Sequence, residues 1–470
     1  MSRVTAAVGE TVATMLAVVL SVVTALLLAP EPGPAVLGGM LAITLSRSQL
    51  ERDARGRVEA AIAMPVIGVL AAGTGALLLA APIAGAAAYT LALALGAWIR
   101  RLGPVWRRLG ALLMLPFTAL LVAPDAVPGS GVLAGAGITW LVPVIVPAAA
   151  FGWVTVVQLA WAHSPVAERP STGSGTAKQV EAPRVEAPPT GEAEAPRLLP
   201  SDRAAIQLAL ALVLAFAAGF LLFPDHWTWV VLTVVVVLAG ATGRADALYK
   251  GVSRFVGAAL GSALAVLLTE FATAGGADAL PLGWRIGIIA LALAAGVFAR
   301  RFAYVWWALC FTLVLALVQS FGPAVDGRAG GFLLWERLLE ILVGAVIAIA
   351  VAWFVVPLVS ERTIRRRLGG VLAALQPVAA GEVQADAALD AALRDLERST
   401  EPYDFVLRFR PNARHPRAAR WIATTRECAA VARGGASPGA RRALGEARRA
   451  LREPERLQGA LDGLLAELRR

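Results

Sequence analysis

The sequence predicts an all-α polytopic membrane protein, with two parallel six-helix transmembrane repeats followed by a C-terminal cytoplasmic helical domain. Three observations predict it. The 470-residue chain is 58% hydrophobic and 16% charged, with a mean hydropathy of +0.68, whereas an average soluble domain is roughly half apolar and about a quarter charged. Twelve apolar runs occupy residues 1–359. Finally, two stretches 200 residues apart repeat one another without a gap. A single soluble core is excluded as well, because such cores stop growing near ~250–300 residues.

A bilayer span needs ~20 apolar residues. The first six runs lie at 8–29, 34–46, 59–81, 83–99, 109–123 and 138–161; the second six lie at 204–223, 227–243, 252–272, 286–299, 303–321 and 335–358. Several are short, so the pattern admits eleven spans, and twelve fits it better. The first run lacks an obvious cleavage site followed by soluble sequence, so it reads as a span rather than a signal peptide.

Charge orients the spans. Arg47, Arg52, Arg55, Arg57, Arg100, Arg101, Arg107 and Arg108 mark one set of loops in the first half, and Arg244, Lys250, Arg254, Arg300 and Arg301 mark the same set in the second. The alternate loops hold only Arg285 and Arg328, thirteen basic residues against two. Because cytoplasmic loops collect Arg and Lys, both termini are expected in the cytoplasm of a multi-pass protein of the cell (inner or plasma) membrane. The net charge of +10 has the same origin and does not call for nucleic acid.

Residues 162–200 are dominated by Pro, Gly, Ser, Thr, Ala and Glu, a composition that buries no core and predicts a disordered cytoplasmic linker between domains at 1–161 and 201–359. Gly173–Lys178 has neither the spacing nor the flanking strand of a phosphate loop.

The internal repeat is clearest between Leu91–Trp106 and Leu291–Trp306, where Gly96/Gly296, Arg100/Arg300, Arg101/Arg301, Val105/Val305 and Trp106/Trp306 coincide. With an even number of spans in each half, both halves enter and leave on one side. The repeat is therefore parallel, related by a pseudo-twofold along the membrane normal.

After Pro357 the hydropathy collapses into amphipathic patterns at Thr363–Leu375, Ala385–Arg398, Ala418–Arg433 and Arg441–Leu468, which predict a cytoplasmic helical domain at 360–470. Arg362 and Arg365–Arg367 follow the last span directly and point to anionic membrane lipid as a partner.

Catalytic and metal-binding motifs are not evident. His163, His226 and His415 stand singly, and no nucleophile elbow, metal-binding His/Glu helix or nucleotide motif occurs. No cofactor is expected, and any active transport draws on an ion gradient or an external partner. Cys310 and Cys428 read as a core residue and a reduced thiol rather than a disulfide.

Ionisable groups inside apolar spans are the first functional candidates, since each costs several kcal/mol unless paired or hydrated. The twelfth run carries Glu336, Arg337 and Glu340; the two glutamates are one turn apart, and Arg337 is spaced to meet Glu340. The matching first-half positions, near Leu141, Val142 and Ile145, are apolar. Either the Arg337–Glu340 pair pins helices together or it belongs to a solute or proton path. Trp227 and Trp229, like Tyr304, Trp306 and Trp307, fit an interfacial aromatic belt, with an aromatic-substrate surface as the alternative for the first pair. Arg254 sits at the cytoplasmic end of the ninth run, where it counts among the positive-inside charges. Gly257 and Gly261 have the spacing that lets helix backbones approach. Gln207 and Gln319 are suited to helix–helix hydrogen bonds.

The second half resembles the fusaric acid resistance protein-like (FUSC) family, also called aromatic acid exporters. Trp229-Val-Val-Leu-Thr233 is similar to its Trp-xx-Leu-Thr element, Arg254-xx-Gly257-xxx-Gly261 to its Arg-xx-Gly helix start, and Arg337-xx-Glu340-xxx-Gly344 to its last-span pattern. The resemblance implies export of aromatic or other organic acids, with a distant similarity to plant anion channels. On it, Glu336, Arg337, Glu340, Trp229, Thr233 and Arg254 become candidates for the substrate pathway, and Gly257, Gly261 and Gly344 for helix packing. The expectation is a non-enzymatic secondary exporter of a small organic anion, its solute moving between the two halves. A passive anion channel and a non-transporting scaffold with a lipid-binding basic tail are the alternatives. A homo-oligomer and a periplasmic adaptor are both left open.

Overall fold

The computed structural model describes residues 2–29, 32–49, 54–122, 141–162, 199–241, 243–273, 281–300, 302–321, 330–355, 360–379, 386, 388–397, 417–432 and 438–470. Nearly all of the expected linker lies outside them, as do Arg52, Arg301, Arg328, His163, His415 and the side chain of Gln319.

Among the described residues the structure is helical, and each apolar run corresponds to one helix. These are α1 (Ser2–Leu28), α2 (Pro32–Gln49), α3 (Ala54–Ala80), α4 (Pro82–Trp98), α5 (Pro104–Val122) and α6 (Val142–Ala162), then α7 (Pro200–Leu222), α8 (Thr228–Leu238), α9 (Arg244–Thr273), α10 (Leu282–Ala299), α11 (Tyr304–Phe321) and α12 (Gly330–Phe354). Seven of them are long and apolar enough to cross a membrane: α1, α3, α4, α6, α7, α9 and α12. The protein is thus a multi-pass membrane protein. Proline sets several starts. Pro82 and Pro200 open α4 and α7 at the first helical turn, where a missing N–H costs nothing, and Asp202 Oδ2 accepts the Leu199 N–H across the start of α7.

The eighth run is the exception in length. It was expected to extend to residue 243, but α8 ends at Leu238; Ala239 turns extended and Gly240 takes a φ of +78°, a left-handed conformation that glycine adopts without a Cβ penalty. Eleven residues rise only ~16 Å, about half the ~30 Å hydrocarbon core. Trp229–Val235, Val237 and Leu238 are all buried. The helix is therefore wrapped by protein, which explains how so short a segment stands among longer ones.

Helices α1 to α12, apart from the first turns of α9, form one compact unit. Within it α1, α2 and α6 pack on one another, and α7, α8 and α12 do likewise; α4 packs on α7, and α10 on α1. Ion pairs reinforce those last two contacts: Arg101 Nη1 lies 3.2 Å from Asp202 Oδ1, and Arg300 Nη2 lies 3.1 Å from Glu10 Oε1. An aromatic chain of Phe117, Tyr89, Phe216, Phe220 and Trp227 links α5, α4, α7 and the start of α8 by edge and tilted contacts. The Tyr89 hydroxyl donates to the Phe117 carbonyl at 3.0 Å. Gln207 Nε2 donates to the Val355 carbonyl at 2.8 Å, tying α7 to the end of α12 as a helix–helix hydrogen bond.

The second unit comprises Ala241–Tyr249 with Pro357–Arg470. Its helices are α13 (Ser360–Ala379), α14 (Arg417–Ala432), α15 (Pro438–Ala450) and α16 (Pro454–Leu468), with a further helical stretch at 388–397. Each buries one apolar stripe: Leu368, Leu372 and Leu375 of α13 meet Trp421 and Cys428 of α14 and Leu457, Leu461 and Leu464 of α16 in one core. The pattern at Arg441–Leu468 predicts a single helix, and here the structure corrects it. The chain turns at Leu451–Glu453, where Glu453 is extended (φ −114°, ψ 91°) before Pro454; a residue preceding proline is pushed out of the helical region.

Candidate functional site

Four glycines draw the candidate residues together. On α12, a Cβ at Gly344 would fall 2.6 Å from the Val230 carbonyl oxygen and 2.9 Å from Thr233 Cβ. The absent side chain therefore brings α8 against α12. Two turns earlier on the same seam, the Arg337 guanidinium carbon lies 4.2 Å from the centre of the Trp229 ring, a cation–π contact. On α9, a Cβ at Gly257 would meet Ala308 Cβ at 2.6 Å and the Val305 carbonyl oxygen at 2.7 Å, and one at Gly261 would clash with the Leu309 carbonyl. That close approach of α9 to α11 sets Arg254 over Phe311, 5.5 Å from guanidinium carbon to ring centre. Gly251 faces Ile349 and Ala345, so α9 also lies close to α12.

The resulting cluster is buried. Arg254 is 2% exposed, Arg337 7%, Glu340 2% and Thr233 fully enclosed. Arg254 stands ten residues into the span Arg244–Glu270, about 15 Å along it at ~1.5 Å per residue, and so is more than a loop charge of the positive-inside pattern. Arg337 lies within electrostatic reach of both Glu340 and Arg254, and Arg254 within reach of Tyr304. Glu336, one turn before Glu340, is half-buried and close enough to influence it.

Hydrogen bonding is incomplete at several of these groups. Among the described residues, Arg254 Nε and Nη2 have no hydrogen-bond partner although both atoms are buried, and neither do the hydroxyls of Thr233 and Thr312. Buried donors of this kind are uncommon in native proteins, because each carries an unrecovered desolvation cost of ~1–3 kcal/mol.

The structure thus gathers Trp229, Thr233, Arg254, Arg337, Glu340 and the three packing glycines on α8, α9 and α12. Trp229 departs from the interfacial belt expected of it: it is 7% exposed, held inside by the approach of α12 at Gly344. Trp306, by contrast, is exposed. Sequence reasoning missed Phe311 and Thr312 of α11. An aromatic and a threonine inside an apolar run carry no signal of their own, and only the pairing of α9 with α11 brings Phe311 to Arg254. Among the described residues no group of His, Cys, Asp and Glu is arranged to hold a metal ion.

In the second unit, Cys428 is a buried thiol. Burial, aided by Glu427, pushes its thiol up to about 12, and its Sγ–H faces the Leu461 carbonyl at 3.8 Å. It is a packed, protonated thiol.

Residues 210–351 match the family model described as fusaric acid resistance protein-like. The match spans all of the candidate residues and supports the FUSC assignment that the motifs suggested. Among curated proteins, none matches the chain.

Proposed function

We propose that the protein is a secondary exporter of aromatic or other organic anions in the cell membrane. The observation that carries this reading is the buried Arg254–Arg337–Glu340 cluster within membrane-crossing helices. Charges so placed cost several kcal/mol unless they serve a pathway or a partner. Two guanidiniums beside aromatic rings suit a solute with a negative head group and an aromatic body. The match at residues 210–351 to fusaric acid resistance protein-like sequences agrees with that chemistry, and transport rather than catalysis is its natural expression.

The architecture of this reading is a parallel repeat of residues 1–161 and 201–359, joined by a linker at 162–200 and followed by a cytoplasmic domain at 360–470. It is supported by the recurrence of packing partners: α1, α2 and α6 correspond to α7, α8 and α12, while the contact of α4 with α7 corresponds to that of α10 with α1. Such reciprocal contacts are those of an isologous interface about a twofold axis. The excess of basic residues in alternate loops supports a cytoplasmic position for both termini in this reading.

Uptake of a panel of aromatic carboxylates into inverted vesicles, with and without a proton gradient, tests the proposal. Saturable, gradient-dependent uptake is expected, and Glu340→Gln should reduce the gradient-driven part while the folded protein is retained. Absence of flux for every carboxylate overturns the reading. Unitary currents in planar bilayers in place of saturable flux would favour a passive anion channel.

A further inference from the structure

We infer that Arg254 is the residue that grips the carboxylate, in a site built by α8, α9, α11 and α12 of the second half rather than on the axis between the halves. The inference rests on the anion-transport reading and adds to it a place, a residue and a geometry.

Two nitrogen atoms of the Arg254 side chain lack partners among the described residues. Nε and Nη2 form one edge of the guanidinium, and on Arg254 both are buried without a hydrogen-bond partner among the described residues. Two parallel N–H groups on one edge are the fork that a carboxylate accepts with its two oxygens. A spherical halide cannot use both at their best geometry, and a Lys ammonium cannot present them. Electrostatics points the same way. Arg254 is buried, and among the described residues the charged or titratable neighbours that act on it are Tyr304 and the second cation, Arg337. Glu340 lies beside Arg337. Among the described residues no carboxylate accompanies Arg254, and a buried cation in that position is costly. An entering carboxylate supplies both the charge and the two acceptors.

The surroundings fit a ring behind that head group. Phe311 lies 5.5 Å from the Arg254 guanidinium and stacks on Trp307, their ring centres 5.6 Å apart. Trp229 lies under Arg337. Thr312, whose Cβ lies against Gly261 on the same α9–α11 seam, carries a buried hydroxyl that is a further donor without a partner among the described residues. The first half offers no counterpart to Arg337 or Glu340, since Val142 and Ile145 stand at the corresponding places. The Arg337–Glu340 surroundings of Arg254 therefore occur once in the chain.

The test is equilibrium binding of radiolabelled benzoate to the purified full-length chain in lipid nanodiscs, for the wild type, Arg254→Lys and Arg254→Gln. The expected result is one site per chain in the wild type and at least tenfold weaker binding in both variants. Chloride should compete poorly against benzoate in the wild type and at least tenfold better, relative to benzoate, in Arg254→Lys. Binding within twofold of wild type in both variants, with unchanged elution and melting, overturns the inference. Should the variants fail to fold, 4-azidobenzoate photolabelling of the wild type decides the matter: adducts on α8, α9, α11 or α12 support the site, and adducts confined elsewhere, or none, overturn it. Carboxylate flux that survives insensitivity to Arg254 would sink only this assignment, whereas Arg254-dependent binding without flux would sink only the transport reading.

Discussion

Gly257 is the position where a single methyl group should do the most damage. Alanine there places its Cβ 2.6 Å from Ala308 Cβ, 2.7 Å from the Val305 carbonyl oxygen and 2.9 Å from the Leu309 nitrogen. Two of those three neighbours are backbone, so no rotamer change relieves them, and α11 must retreat from α9 by about 1 Å to restore van der Waals distance. Overpacking of this kind costs ~1–3 kcal/mol, which exceeds the ~1 kcal/mol that alanine gains over glycine in a helix. Gly287 supplies the control, because a Cβ built on it meets nothing within 4 Å. Unfolding of the full-length protein in mixed micelles of rising SDS fraction, followed by far-UV circular dichroism, should show Gly257→Ala destabilised by up to about 2 kcal/mol net and Gly287→Ala unchanged or slightly stabilised. The retreat also draws Phe311 away from Arg254, so benzoate binding should weaken in parallel. If Gly257→Ala unfolds at the wild-type SDS fraction, the close approach of α9 and α11 does not exist as described.

Further outcomes follow from other contacts. Cys428, pushed up to about 12, stays a thiol at pH 8, so iodoacetamide should label it only after denaturation. Because its folded value lies above the ~8.5 of a free thiol, its contribution to stability is complete below pH ~8.5 and is lost as pH rises towards about 12; a rate of labelling in native protein equal to that of free cysteine would contradict this. Trp421→Ala should unfold the second unit by removing a side chain that is 1% exposed, at a cost of ~3–5 kcal/mol, seen as a separate early transition in limited proteolysis. Asp202→Asn and Glu10→Gln each break one partly exposed ion pair and should cost no more than ~1 kcal/mol apiece. Their effects should add, since the two pairs share no residue; a strongly non-additive double variant would show that they act as one unit. Cysteines placed at Arg100 and Arg300 should react with an impermeant maleimide from the same side of the membrane, as a parallel repeat requires.

Much of the helix inventory was legible in the chain because a bilayer imposes a simple rule. A segment surrounded by hydrocarbon must be apolar for about 20 residues and must satisfy its own backbone, so each helix up to α12 shows as an apolar run. Arg337 and Glu340 were legible for the converse reason: an ionisable side chain within such a run stands out against its neighbours, whereas Arg254, next to other basic residues at the start of its run, read as a loop charge and became a candidate through the family resemblance alone. The glycine spacing at Gly257 and Gly261 likewise announced a close approach, though not its partner. Pro454 carried the break between α15 and α16 in plain view, but the amphipathic stripe continues on both sides of it, and the stripe was read in preference to the proline.

What the chain left open concerns neighbours across space. That α8 stops at Leu238 depends on protein surrounding it on every side, a condition no local pattern records. Trp229 looks the same in sequence whether it faces the lipid interface or lies under Arg337; the contact of Gly344 with Val230 and Thr233 decides between them. Phe311 and Thr312 gain meaning only where α11 meets α9. Periodicity and composition determine which segments leave water, because transfer free energy is a sum over residues. Which buried charge faces which ring, and which donor is left without an acceptor, is decided by the packing of helices far apart in the chain, and that information exists only in three dimensions.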